Sequence, residues 1–378
     1  MSSLYRLPAL EFGSDLMATL FEIERLRADI GTGNTPSQIK EELHFLFDVV
    51  MSVVSARIEG NHTTVYQALD GAIPEESPSQ AEQLHEIANI AEATRFLDSR
   101  DPREPLTHAL LRDLHAQVVD GLSREGDPTP GAYREVDVAI AGSAHQPPTW
   151  VTLHAEMAEL LRFANLERPP HEQMMQIALA HHRFVWVHPF RNGNGRVSRL
   201  FTYAMLRRTI FATRGFSALN PAAVFGNDRS AYISALEAAD SLSDDGTKVW
   251  LSFFATGIRD DLARLVLLQD HAYVADKLVL PALDSLLRDG LISLAMREVL
   301  AVVLQRGTVK AGDLAGVLPG DASQRSRAIR ELIDRRLLRR TQEGTRFYQL
   351  LLSRGPLAPR LIRRLDELGH LPRMLADD

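Results

Sequence analysis

The chain has no cysteine. That excludes disulfides, thiolate metal sites and a cysteine nucleophile, and it fits a reducing cytoplasm. It also has no apolar run long enough to span a bilayer. The opening residues, Met1-Ser-Ser-Leu-Tyr-Arg-Leu-Pro8, lack the basic-then-apolar pattern of a signal peptide. A cytoplasmic protein with no membrane role is expected. No internal repeat and no low-complexity segment is found. With 378 residues, 45% apolar and 24% charged, the composition is that of an ordinary globular protein of two or three domains.

Charge is unevenly spread. From Leu291 onward there are 16 Lys and Arg against 10 Asp and Glu, net +6, which leaves 26 against 39 before it, net −13. An acidic body with a basic C-terminal part points to two units with different partners.

The most informative stretch is His188-Pro-Phe-Arg-Asn-Gly-Asn-Gly-Arg-Val-Ser-Arg199. Proline and two glycines mark a tight loop. From Arg196, the apolar positions Val197, Leu200, Phe201, Ala204 and Met205 take helical spacing. A glycine-rich loop that opens a helix aims free backbone N–H groups, and the positive end of the helix dipole, at one point. Arg196 and Arg199 share a face of that helix. The arrangement asks for an anion, and a polyphosphate is the natural one. An unperturbed imidazole titrates near ~6.5, so His188 is suited to take a proton around neutrality.

Upstream, a helix is expected from an N-cap at Ser37 to about Ile58, stopped at Gly60. Glu59 is then an acid at the negative end of a helix, which costs roughly 0.3–1 kcal/mol unless a cation faces it. Residues 62–80 read as a loop. Helices are expected over Ala81–Leu97 and from a Thr107 cap to Val119. Between Gly131 and Pro148 the alternation of Val136, Val138 and Ile140, with a turn at Gly142-Ser143, predicts a short hairpin. Helices follow over His154–Asn165 and Glu172–Trp186. His181 and His182 are adjacent, so they point different ways on a helix. No Asp or Glu stands three or four positions away, and packed histidines are expected rather than a metal site. Residues Asn220–Gly226 read as loop. Asp228 caps a helix carrying Tyr232, another helix starts near Trp250, and the helical pattern runs on through a connector that Pro281 could break. In the C-terminal part the pattern is helix, short helix, a basic helix over Ser323–Arg336, then two strands around Glu343-Gly344. The basic residues of that third helix include Arg325, Arg327, Arg330 and Arg335.

The 188–199 stretch fits H-P-F-x-x-G-N-G-R-x-x-R at every fixed position, and on it the chain resembles the Fic family. The segment Ser55-Ala-Arg-Ile-Glu-Gly-Asn61 resembles that family's inhibitory motif, in which the glutamate pairs with the second motif arginine, here Arg199. The likeness extends over about residues 40–260. It implies that residues 131–148 form a flap that holds a target segment by strand addition. It implies that Gly193, Asn194 and Gly195 cradle nucleotide phosphates, with Asn194 orienting the α-phosphate. Arg196 would hold the β-phosphate, Arg199 would grip the γ-phosphate once Glu59 leaves, and Tyr232 would approach the base. Plain core packing is an equal alternative for Tyr232. The implied reaction is transfer of AMP from ATP to a Ser, Thr or Tyr hydroxyl of a protein target, self-modification included, with His188 as general base. Gly195 is consistent with this, because a phosphotransferase branch carries lysine there. Mg²⁺ is expected as cofactor, but position 192 is Asn where Asp or Glu is usual, and a neutral amide is the weaker ligand for a hard cation.

The expected fold is mainly α. A helical Fic core over 101–260 carries the hairpin flap. It is preceded by a helical region over 1–100 that includes the inhibitory helix at about 38–61. A connector over 261–290 leads to a winged-helix domain over 291–352 and a basic tail over 353–378. A winged helix commonly reads DNA with its third helix, although it also serves protein binding or homodimer formation. The competing functional readings are a DNA-binding regulator whose Fic core senses nucleotide or is inactive, and an enzyme that removes AMP.

Overall fold

The computed structural model describes residues 3–70, 77–209, 222–342 and 344–375. Gly71 and Pro74 of the expected 62–80 loop, Asn220 of the expected 220–226 loop and Glu343 of the hairpin turn lie outside them. The architecture is mainly α, with one two-stranded sheet among the described residues.

Helix α1 (Asp15–Asp29) starts at Ser14, whose side chain accepts from the Met17 amide. Helix α2 (Ser37–Ile58) begins at its expected cap residue rather than after it: Pro36 stands in the cap position, with no side-chain cap bond, and Ser37 is already helical. It ends at Glu59, and Gly60 takes φ of +99°, a conformation that glycine adopts without a Cβ penalty. Val50, Val53, Val54 and Ala56 are fully buried, so the C-terminal half of α2 runs through the interior.

A short helix α3 (Val65–Asp70) stands where the sequence predicts loop. Its signal is local: Thr64 and Gln67 bond each other's amides reciprocally, a capping box. Helix α4 (Pro78–Ser99) starts on a second capping box, Ser77 with Gln80, and α5 (His108–Val119) is capped by Thr107. Helices α6 (Leu153–Ala164) and α7 (Pro170–Val187) follow. Residues 188–193 then lead into α8 (Asn194–Thr209), which packs against α7, α5 and α4. The small helix α9 (Ala222–Gly226), within the expected loop, packs on α2. Helix α10 (Arg229–Asp240) is capped by Asp228 and α11 (Asp244–Leu268) by Ser243.

The connector differs from its expected form. The chain turns at Gln269-Asp270. It then runs through α12 (His271–Tyr273), a π-helical stretch over Val274–Val279 and α13 (Leu280–Arg288). Pro281 does not break this run. It sits just after the π-helical stretch, in the first turn of α13, where its missing N–H costs least.

The expected hairpin at 131–148 is not formed. No strand pairing occurs there; the chain is irregular, with a single turn bond from the Ser143 amide to the Ile140 carbonyl. The physical reason is that no second strand among the described residues lies alongside to pair with it: Val138 and Ile140 are only half-buried and Val136 is 42% exposed. The segment is fixed instead by side chains, chiefly Arg134.

The C-terminal part keeps the order read from sequence: α14 (Leu294–Arg306), a 3₁₀ turn over Ala311–Leu314, α15 (Ala322–Asp334), then strands β1 (Leu338–Arg340) and β2 (Tyr348–Leu350). The strands pair antiparallel with Leu338 opposite Leu350. Helix α16 (Leu357–Glu367) buries Leu357, Leu361 and Leu365 and packs on α13. No helix among the described residues is long and apolar enough to cross a membrane.

Candidate active site

His188 ends α7 in the left-handed conformation, at φ 50°, a strained state for a residue with a side chain. Its Nδ1 faces the Val185 carbonyl at 3.2 Å. A carbonyl only accepts, so Nδ1 carries the proton and the Nε2 lone pair is left for other work. Burial, opposed in part by that backbone bond, pulls the imidazole pKa down to about 4, so the ring is neutral at pH 7.

The loop after His188 closes on itself. Asn194 receives the Phe190 amide at 2.9 Å and donates to the Phe190 carbonyl at 2.8 Å. Its side chain therefore shapes the turn, rather than standing open toward a ligand. Gly193 takes φ of +73°, and a Cβ there would meet Val119 at 3.0 Å. Phe190 is fully buried, stacked on His115 with ring centroids 3.8 Å apart.

Arg199 is committed to α2. Its Nε donates to Ser55 Oγ at 2.8 Å, and its Nη2 donates to the Ser55 carbonyl at 3.0 Å and to Glu59 Oε1 at 2.8 Å. The sequence-derived pairing of Glu59 with Arg199 is present as an ion pair, with Arg199 2% and Glu59 33% exposed. Burial alone would push the Glu59 carboxyl up. Arg199, by charge and hydrogen bond, with Arg196 and Arg229 behind it, holds it below the usual carboxylate value. A Cβ on Gly195 would fall 2.1 Å from the same oxygen, so Glu59 lies directly over the first turn of α8, on the bare backbone that Gly195 provides.

Arg196 points elsewhere. Its guanidinium is buried, pairs with Glu86 of α4 at 3.0 Å and donates to the carbonyls of Val118 and Glu125. Asn61, two residues past Glu59, donates to the other Glu86 oxygen at 2.9 Å. Both motif arginines thus face carboxylates: one on the turn that ends α2, the other tied to that turn through Asn61.

Tyr232 is 5% exposed in an aromatic cluster with Phe225, Trp250 and Phe253, and its hydroxyl meets His181 Nε2 at 3.1 Å. This placement favours core packing over contact with a base. His181 also bonds Thr202, while His182 turns to Asp240 at 3.0 Å, so the two histidines serve different partners.

Several supporting residues escaped the sequence reading. Asp127 sits beneath the loop. One of its carboxylate oxygens accepts from the amides of Arg191 and Asn192, and the other from the amide and hydroxyl of Thr129. His115 stands 3.5 Å from it and bonds the Asn192 carbonyl at 3.2 Å. Burial opposes ionisation of Asp127, but these donors outweigh it and hold the carboxyl below its ordinary value. Arg134, its side chain wholly buried, donates to the carbonyls of His188 and Val187 on one side and Val136 and Pro148 on the other. It pins the 131–148 segment to the loop that bears His188. The available signal was a single arginine in a stretch otherwise read as an apolar alternation.

Asn192 spends its amide inside the loop: Oδ1 accepts from the Gly193 amide at 2.7 Å and Nδ2 donates to the Gly126 carbonyl. Asp127 is enclosed by its donors and Glu59 is held by Arg199. The described residues of the loop therefore offer no carboxylate of their own to Mg²⁺, and the donor set does not fit a resident divalent ion.

Residues 105–206 match the model of the Fic/DOC family. Among curated proteins, the chain is 29% identical over 164 residues to the protein adenylyltransferase Fic of Nematostella vectensis, a match that covers 42% of this chain and 37% of that protein. It is 31% identical over 166 residues to the protein of the same description from Drosophila yakuba, covering 41% and 31%. The match thus spans about a third of the length of these relatives. Among solved structures, a Fic family protein from Desulfovibrio desulfuricans aligns over 92% of this chain and 98% of its own, with a TM-score of 0.56 at 18% identity. Fic-1 from C. elegans aligns over 66% and 72%, with a TM-score of 0.53 at 20% identity. These two likenesses concern the fold. Loop geometry and family match agree: the chain carries a Fic domain, matched at residues 105–206.

Proposed function

We propose that the chain is a self-inhibited protein adenylyltransferase, which moves AMP from ATP to a hydroxyl side chain of a protein target. The observation that carries the reading is the neutral His188, its Nδ1 proton fixed on Val185, beside a glycine-rich helix start. The activity named for the curated relatives supports it.

In this reading the Nε2 lone pair of His188 removes the proton from the target's Ser, Thr or Tyr hydroxyl. The oxygen attacks the α-phosphorus of ATP and pyrophosphate leaves. The N–H groups at the start of α8 and the helix dipole meet the phosphate charge. Gly195 lets the phosphates approach the backbone. Arg199 grips the γ-phosphate only when Glu59 has moved off, so the resting protein is held back by its own α2. Arg196 takes the β-phosphate after exchanging Glu86 for it. The irregular 131–148 segment, with no strand partner of its own and an arginine anchor, suits a target strand that supplies the missing partner. Mg²⁺ would be drawn in weakly at best, since position 192 is an amide.

A second reading concerns the C-terminal part. Arg327 and Arg330 are exposed on α15 beside the β1–β2 hairpin, an arrangement that supports a winged helix with phosphate contact to DNA. It is compatible with the first reading and supplies the main alternative to it, a DNA-binding regulator with a silent Fic core.

Incubation with ATP labelled at the α- or at the γ-phosphorus separates these. Label on protein from α-labelled ATP alone, absent in His188→Ala, is expected. Label from γ-labelled ATP would indicate phosphate transfer. No label from either, even in Glu59→Gly, together with salt-sensitive DNA binding, would favour the regulator. Loss of AMP from a previously labelled protein would favour AMP removal.

A further inference from the structure

Glu42 is a carboxylate with no function in the reaction, yet it is 1% exposed in the middle of the molecule. It lies in the second turn of α2. All four of its donors come from the C-terminal part: Arg339 Nε at 2.7 Å, the amides of Leu352 and Ser353 at 2.9 and 3.0 Å, and Ser353 Oγ at 2.8 Å. A buried carboxylate needs such donors, because without them it carries an uncompensated desolvation cost. Glu42 is therefore satisfied only while the C-terminal hairpin is seated.

The same part holds α2 at its far end. Arg57 Nη1 donates to the Met374 carbonyl at 2.8 Å, two residues before Glu59. Pro36, just ahead of α2, lies against Gly307, where an added Cβ would come within 2.9 Å. Glu42 and Glu59 are about 26 Å apart along one helix, at 1.5 Å per residue. Residues 50–56 of this continuous helix are buried without a break, so a shift at one end is carried toward the other.

We infer that Glu42 is the latch by which the C-terminal part keeps α2 seated, and with it Glu59 on Arg199. Glu42 is thus a positioning residue for inhibition, acting through Glu59. The inference rests on the reading of Glu59 as inhibitory. It makes the C-terminal part the sensor: a partner that takes up the Ser353 edge or pulls Arg339 away leaves Glu42 without donors and frees α2. The link is reciprocal, since nucleotide seated on Arg199 must loosen the C-terminal part by the same factor.

The test uses the full chain, with Glu42→Gln and, from the other side of the contact, Arg339→Gln. Two readouts are taken: hydrogen exchange of the amides at 53–58, and affinity for a non-hydrolysable ATP analogue with Glu59 or with Glu59→Gly. Both variants are expected to speed exchange at 53–58 by about fivefold or more and to raise analogue affinity by a like factor in the Glu59 protein. Neither should add anything in the Glu59→Gly background. Faster exchange confined to residues near 42 and 339–353, with 53–58 unchanged, would overturn the latch. So would an equal affinity change in both backgrounds, which is what a merely structural role gives. If Glu59→Gly alone leaves affinity unchanged, the inhibitory reading fails, and exchange at 53–58 still decides whether the latch exists.

Discussion

Glu59 Oε1 accepts from Arg199 Nη2 at 2.8 Å and occupies the place, 2.1 Å away, where a β-carbon on residue 195 would project. One oxygen therefore both neutralises the arginine expected to hold the outer phosphate and stands over the helix start expected to cradle the inner ones. The first consequence concerns Ser55, which accepts from Arg199 through both its hydroxyl and its carbonyl. Ser55→Ala removes one buried acceptor and costs about 1 kcal/mol of stability. Because Arg199 is then held less firmly toward α2, AMP transfer should rise several-fold. Thermal melting and initial labelling rates check the two parts; a fall in rate at unchanged stability would contradict it.

Asp127 should matter as much as the motif residues. It carries the backbone of Arg191 and Asn192 from beneath. Asp127→Asn keeps the shape but replaces one acceptor by a donor that faces the loop amides. Transfer should fall by about ten- to a hundredfold, the scale of losing a residue that orients a reacting group, with circular dichroism unchanged. Full activity would show that the loop does not need this support.

The pH profile follows from His188. Its pKa is depressed by burial to about 4, so the neutral, proton-accepting form persists as pH falls through 6.5 and is lost only near 4. The acid limb of kcat/KM should therefore lie well below the ordinary imidazole range. A limb centred at 6.5 to 7, abolished by no other change, would show that the free protein holds His188 in a more open setting.

Much of this site is legible in sequence because it is local. Helix α2, its glycine stop, the cap at Thr107 and the loop-to-helix turn at 188–199 all depend on residues within a few positions of one another. The Glu59–Arg199 pair, 140 residues apart, came only through family resemblance. Asp127, His115 and Arg134 were missed for the same reason: each acts on backbone far away in sequence, and nothing near it marks that. The hairpin at 131–148 failed because a period of two shows that a strand is possible, while a strand exists only with a partner. Glu42 looks like an ordinary acid near a helix start, and the donors that permit its burial all come from residues 339–353. Tyr232 was ambiguous because an aromatic residue on a helix face is read alike whether it meets a ligand or the core.

Position 192 gives a separate test. Asn192 donates to the Gly126 carbonyl and accepts from the Gly193 amide, and a carboxylate cannot make the first of these bonds. Asn192→Asp should free that side chain and supply the charge that Mg²⁺ requires. Transfer should then saturate at lower Mg²⁺ than in the natural protein. An unchanged Mg²⁺ dependence would mean that residue 192 has no part in binding the ion.

In the proposed resting state Glu59 holds Arg199, and Glu86 holds Arg196 behind it, so that inhibition turns first on Glu59. This is tested most directly by the initial rate of label transfer from α-labelled ATP in Glu59→Gly relative to the unaltered chain, at equal folded concentration. An increase of about tenfold or more is expected, abolished when His188→Ala is added. Equal rates with and without Glu59, both dependent on His188, would contradict it.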